Sequence, residues 1–288
     1  MTDAVIPSRD APPSSAAPMS AARAYTHLYW TLAKQGMQIQ FQYRVANYFS
    51  MIGLVIEPLV YLVVWSTIAR QSGGSVGGYT PEGFAAYYIA WTLVRNMNIA
   101  FTPAGWEERI REGTMSALLV RPMHPVHYDI GSFAGWKIVV IVLWIPIAIV
   151  LSLIFHPSLQ TSVEQAIVFF VAIWLAFVLR SLLLWSLGMI TFWTTRATAL
   201  FEVYFYSELL LSGRVLPLTL LPAWARTLGN FLPFRWGFGY PITALVGPIT
   251  RAELYLGLLA QLAWIAGAAL VVSLVWRRAV KHFTAVSG

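Results

Sequence analysis

A chain of 288 residues that is 58% hydrophobic and 11% charged, with a mean hydropathy of +0.65, is excluded from the ordinary soluble domains, which carry about 25% charged residues. The absence of cysteine excludes a disulfide framework and any thiolate metal or redox centre. The net charge of +7 comes from basic residues dispersed between apolar runs, which points to membrane topology and away from nucleic acid.

Residues 1–22 are rich in Ala, Pro and Ser, too poor in large apolar side chains to order themselves, and are expected to form a disordered cytoplasmic tail. In 24–46 a polar stripe of His27, Thr31, Lys34, Gln38 and Gln42 opposes Tyr25, Leu28, Leu32, Ile39 and Tyr43. That periodicity predicts an amphipathic helix lying in the membrane interface. Six apolar runs follow, at 47–68, 84–101, 133–155, 163–193, 200–211 and 252–276, read against the roughly 20 helical residues that cross a bilayer core. Ser162 with Gln165, and Thr250 with Glu253, stand at capping-box spacing before the fourth and sixth runs. The expected fold is an all-α integral membrane protein with six transmembrane helices.

The most charged stretch, 102–137, lies between the second and third runs and holds Glu107, Glu108, Arg109, Arg111, Glu112, Arg121, Asp129 and Lys137. A polar hairpin between two spans is expected in water. Thr102 and Pro103 suit the start of a helix, acids favour its first turn, and Arg121-Pro122 should end it. Glu108, Arg111 and Glu112 would face one side, with Trp106, Ile110, Ala117 and Leu118 around the other. Such a rod suits docking of a soluble partner, with Glu107, Glu108, Arg111, Glu112 and Arg121 as coupling residues. Placing it inside leaves only Arg70, Arg214, Arg226, Arg235 and Arg251 in outer segments, so the positive-inside rule puts both termini in the cytoplasm.

Stretch 212–247 is too apolar for a solvated loop, yet Pro217, Pro222, Pro233 and Pro241 interrupt it too often for a straight span. Irregular backbone at membrane depth persists only where protein or a water-filled cavity satisfies it. Short re-entrant or interfacial helices on the outer side are expected, marked by Pro217, Pro222, Trp224, Pro233 and Phe234; a surface loop packed on the bundle is the alternative. Within the spans, Glu57, Arg95, Arg180, Glu202 and Glu208 each cost about 3 kcal/mol in lipid and should face partners or a cavity. By depth, Glu57 pairs with Arg95, and Arg180 with Glu202 or Glu208, as a translocation path or as interhelix contacts. His124 and Asp129 have the H-x-x-x-x-D spacing of glycerolipid acyltransferases, in which a carboxylate orients a histidine base. With His127 they make no convincing metal set, and no metal is expected.

Two stretches carry a family resemblance. IREGTMSALLVRPMHP (110–125), through Gly113, Leu118, Leu119, Arg121 and Pro122, resembles the cytoplasmic pattern of ABC-2 type exporter permeases in a six-span branch with a separate ATPase. SGRVLPLTLLPAW…LPF (212–234) resembles that family's outer loop through Gly213, Pro217, Leu221-Pro222, Trp224 and Pro233-Phe234. The resemblance implies a non-enzymatic permease in the cell membrane that moves an amphipathic, lipid-like or small-molecule cargo outward. It implies no cofactor on this chain and no nucleic acid. ATP and Mg would sit on an ABC ATPase present in two copies, beside a second permease chain, identical or related, and the surrounding membrane lipids. The chain agrees in lacking G-x-x-x-x-G-K-[ST]; the nearest approach, GSFAGWK (131–137), has the wrong spacing. Two readings from other classes stay open: an ion-coupled secondary transporter using Glu57, Glu202 and Glu208, and an integral-membrane enzyme using His124 and Asp129.

Overall fold

The computed structural model describes residues 20–159, 161–194 and 198–282. The expected disordered tail falls, up to residue 19, outside the described residues. The helices in chain order are α1 (Ala21–Gln42), α2 (Arg44–Gln71), α3 (Pro81–Met97), α4 (Pro103–Arg111), α5 (Met115–Leu119), α6 (Pro125–Phe155) and α7 (Val163–Gly188), which a 3-10 turn extends to Phe192. Then come α8 (Thr198–Leu211), α9 (Ala223–Phe231), α10 (Phe234–Gly237), α11 (Gly239–Val246) and α12 (Arg251–Ala279). No strand occurs among the described residues. Both anticipated capping boxes form, at Ser162 with Gln165 on α7 and at Thr250 with Glu253 on α12.

Four helices are long and apolar enough to cross a membrane: α2, α6, α7 with its 3-10 turn, and α12. The second and fifth expected spans are shorter, with 17 residues in α3 and 14 in α8, against the roughly 20 needed for a lipid-exposed crossing. For α3 the reason is visible in its burial. It packs against α2, α6, α7 and α11, and Phe84, Tyr87, Trp91, Val94 and Met97 are fully enclosed. Protein surrounds its body from Phe84 to Met97, so its length does not have to match the hydrocarbon.

The C-terminal end of α3 lies inside the protein, where its unpaired carbonyls need donors. Lys137 of α6, with no exposed surface, donates its Nζ to the carbonyls of Asn96 (3.2 Å) and Ile99. Arg180 of α7 donates Nη1 to the Asn98 carbonyl at 2.5 Å. Both cations meet the negative end of the helix dipole. Lys137 therefore departs from the expected hydrated hairpin: it is buried in α6, stacked within 4.4 Å of the Trp136 ring and 5.0 Å of the Phe177 ring.

Stretch 212–247 forms a hairpin woven into the bundle. The Gly213 and Val215 carbonyls accept from the Tyr87 and Tyr88 hydroxyls at 2.7 and 2.8 Å. Leu220 fills the space above Gly77, before α3. The chain then reaches the opposite end of α3, where the Gly237 carbonyl accepts from Asn98 Nδ2 at 2.7 Å. It returns to the start of α7, where the Leu245 carbonyl accepts from Thr161 at 2.8 Å. Side chains thus satisfy the irregular backbone. Pro217 is buried, Phe234 stacks edge-on to Tyr204 at 5.4 Å, and Pro222 and Pro233 start α9 and α10. Only α9 is peripheral, with Trp224 and Phe231 exposed.

α1 runs alongside the first half of α6 and in the same direction. The Tyr29 hydroxyl meets His127 Nδ1 at 2.8 Å, Leu32 sits over Gly131, and Ala33 covers Gly135. A Cβ on Gly135 would collide with the Ala33 carbonyl, a backbone group that cannot step aside. Gly135→Ala is therefore expected to destabilise the folded chain by about 1–3 kcal/mol and to open α1 to protease. Gly267→Ala on α12, where a Cβ meets nothing within 4 Å, should be neutral or stabilising. Thermal unfolding in detergent compares the two.

Candidate functional site

Of the predicted span charges, Glu57, Arg95 and Arg180 line one cavity of about 480 Å³, together with Tyr61, Arg214 and Phe238 and with Phe205, Tyr206 and Leu209 of α8. Glu57 pairs with Arg95, as its place in the sequence predicts. It is also shared: Arg214 Nη2 and the Tyr61 hydroxyl both lie 3.4 Å from its Oε1. Trp91 underlies both arginines, with ring centroid distances of 5.3 Å to Arg95 and 5.7 Å to Arg214. Arg180 forms a two-pronged pair with Glu208, at 2.8 and 3.0 Å, and the Tyr204 hydroxyl donates to the same carboxylate at 3.0 Å. Glu208 is thus the partner of Arg180. Glu202 is exposed and makes no ion pair among the described residues.

Arg214 was assigned to an outer loop on sequence grounds, and the structure instead turns it into this cavity. The signal was present in its setting, since an arginine flanked by Gly213 and the apolar Val215-Leu216 in a Pro/Gly-broken stretch needs a buried partner.

The second group of predicted residues lies little more than one turn further along α7, near its C-terminal end, where Trp185 stands. Thr102 caps α4, its Oγ1 accepting from the Gly105 N–H, and Pro103 occupies the first turn. The expected single rod to Arg121 is instead two helices. Gly113, at φ +70°, breaks the helix after Glu112, because that left-handed conformation cannot continue a right-handed turn; α5 then runs only to Leu119. Glu108, Arg111, Glu112 and Arg121 are exposed, and Arg121 lies over the Tyr128 ring at 4.7 Å. Glu107 faces inward enough to accept from Thr198 of α8 at 3.2 Å. Trp106 is fully buried and meets Trp185 edge-on at 4.5 Å, while Ala117 is exposed instead of facing the bundle.

Arg109 fixes this segment to the bundle. Its guanidinium grips Asp129 of α6 with two bonds of 2.8 and 2.6 Å and lies 3.7 Å from the Phe101 ring centroid. Trp185 of α7 donates Nε1 to the same carboxylate at 2.8 Å. The sequence reading left Arg109 out of its site residues, although its spacing three after Trp106 places it on the inward face.

A family profile described as ABC-2 family transporter protein matches residues 55–287. The chain belongs to the ABC-2 transporter family. Comparison with curated proteins gives no match. An ABC-2 chain is a transporter membrane subunit and not an enzyme, and its family implies an ABC ATPase partner. His124 is held differently from the arrangement its spacing to Asp129 suggested. Its Nδ1 accepts from the Val126 N–H at 3.2 Å, while both oxygens of Asp129 are taken by Arg109, with Trp185 sharing one. No His124–Asp129 dyad forms. Burial between Trp185 and Trp276, and then the neighbouring His127, pushes His124 down to about 4, so it carries no charge at neutral pH. No His/Asp/Glu cluster suited to a metal occurs among the described residues.

Glu208 is 2% exposed and its pair with Arg180 is enclosed. Glu208→Gln leaves a buried guanidinium without its counter-charge and should cost about 3–5 kcal/mol. Arg180→Gln combined with Glu208→Gln should cost less than the sum of the two single changes. Denaturation of the purified ABC-2 chain and its variants measures this coupling, and simple additivity would show that the pair does not interact.

Proposed function

We propose that this chain is the permease of an ATP-driven exporter that carries an amphipathic cargo outward across the cell membrane. In this reading α3 and α8 join the four long helices to make six spans. Segment 103–124 faces the cytoplasm, α9–α11 form a re-entrant hairpin from the outer side, and α1 follows α6 to the inner interface. Hydrolysis of ATP with Mg occurs on two copies of a separate ATPase, and a second permease chain completes the pathway.

The observation that carries this reading is the attachment of α4. A short helix with an exposed charged edge of Glu108, Arg111 and Glu112 is bolted to α6 and α7 through Arg109, Asp129, Trp106 and Trp185. Force applied to that edge reaches two long helices without passing through a slack loop. A secondary transporter is less well supported: Glu57 and Glu208 are both held by arginines, which oppose the uptake of a proton or cation.

Reversing Glu108 and Glu112 together to Lys should leave insertion and fold intact while weakening ATPase capture or uncoupling hydrolysis from cargo. Co-purification with the ATPase and cargo-stimulated hydrolysis read this out. Unchanged binding together with unchanged stimulation would remove the coupling role from α4.

A further inference from the structure

The cavity between α2, α3, α7 and α8 has an unbalanced charge. Glu208 is spent on Arg180 and Tyr204, both of its oxygens being engaged. Glu57 alone then answers Arg95 and Arg214, and the Arg95 contact is the close one. Arg214 reaches the shared carboxylate only at 3.4 Å, and its Nε is buried with no hydrogen-bond partner. A guanidinium with donors to spare beside a cavity favours an anion with oxygen acceptors. Lys137, close enough to Arg180 to interact electrostatically with it, offers no compensating negative charge.

Part of the lining beside these groups is apolar, with the Phe238 ring 6.0 Å from the Arg214 guanidinium and the Phe205 ring 5.8 Å from that of Arg180. Leu209 of α8 also belongs to it, and Tyr206 stands in the lining with 64% of its surface exposed. Helices α2 and α8 are both in the lining, and both also carry exposed apolar side chains, Ile56 and Val60 on α2 and Val203 and Leu210 on α8. An acid group placed against Arg95 and Arg214 would therefore have a hydrocarbon-like surface leading away from it.

We infer that this cavity binds a single-chain amphiphile with an anionic phosphate or carboxylate head, the head lying on Arg214 and Arg95 and the alkyl chain along α8. The site deepens the transporter reading by assigning its cargo class, and it rests on that reading only for the step of transport. Binding itself needs neither ATP nor an ATPase.

The test uses the full chain in neutral maltoside micelles and equilibrium binding of radiolabelled tetradecyl phosphate, with tetradecyl phosphocholine and inorganic phosphate as competitors. One saturable site per chain is expected. Phosphocholine should compete at least tenfold more weakly, because its head carries no net charge, and inorganic phosphate should hardly compete. Arg214→Gln should weaken binding by tenfold or more. Glu57→Gln should strengthen it several-fold per folded molecule by releasing both arginines, a gain that misfolding cannot produce. Absence of saturable binding, equal competition by phosphocholine, or a Glu57→Gln variant that binds no better would overturn the assignment. Inorganic phosphate competing as well as the alkyl phosphate would make this a free-anion site and overturn the amphiphile. Loss of coupling in the α4 variant with binding intact, or the reverse, separates failure of the transport reading from failure of this one.

Discussion

The structure depends on how α3 ends. A helix terminus leaves carbonyls without partners, and inside an apolar bundle no water is at hand to satisfy them. Here the Asn96, Asn98 and Ile99 carbonyls receive donors from Lys137 and Arg180. Each cation lies where the helix dipole is negative, and each comes from a different long helix. Asn98 adds its own side chain, which donates to Val94 and Gly237. One helix end thus collects α6, α7 and the α9–α11 hairpin around a single point.

Two features radiate from that point. On one side residues 98–102 lead into α4, whose Arg109 ties back to α6 and α7 through Asp129 and Trp185. On the other, Arg180 continues through Glu208 to α8 and so borders the charged cavity. The proposed input from an ATPase and the proposed cargo site therefore share Arg180 and the end of α3. Helices α4 and α8 also touch directly, at Glu107 and Thr198, which gives a second contact between the two regions. Buried ion pairs contribute little net stability once desolvation is counted. Their value here lies in fixing which helices meet, because an alternative packing would strand a charge.

Much of this was legible in the sequence. Apolar run lengths gave the helices, and the capping spacings at Ser162 and Thr250 located two helix starts. The cost of charge in lipid gave the Glu57–Arg95 and Arg180–Glu208 pairings, Glu208 winning over Glu202 because it points inward from α8. The Pro-broken 212–247 stretch was read as short outer-side helices whose backbone needs protein around it, and side chains do meet its carbonyls at Gly213, Val215, Gly237 and Leu245. What escaped has a physical cause in each case. The apolar run at 84–101 was read as one span, whereas α3 stops at Met97, where Lys137 and Arg180 meet the carbonyls of Asn96, Asn98 and Ile99. Asp129 and Lys137 were counted as polar hairpin because composition cannot distinguish a hydrated charge from one held by Arg109 or by helix carbonyls. The break at Gly113 follows from a positive φ, which glycine permits but does not announce. Arg214 lies far along the chain from Glu57, and only the fold brings them together.

The central claim, that cations from α6 and α7 hold the buried end of α3, is tested most directly by amide hydrogen exchange in Lys137→Met. That change keeps the bulk of the side chain and removes the ammonium that the Asn96 and Ile99 carbonyls accept from. Exchange at the amides of Asn98 and Ile99, which bond back to Val94, Arg95 and Asn96, should rise by about tenfold or more while α12 keeps its protection. Unchanged protection at Asn98 and Ile99 in the folded variant would contradict the account.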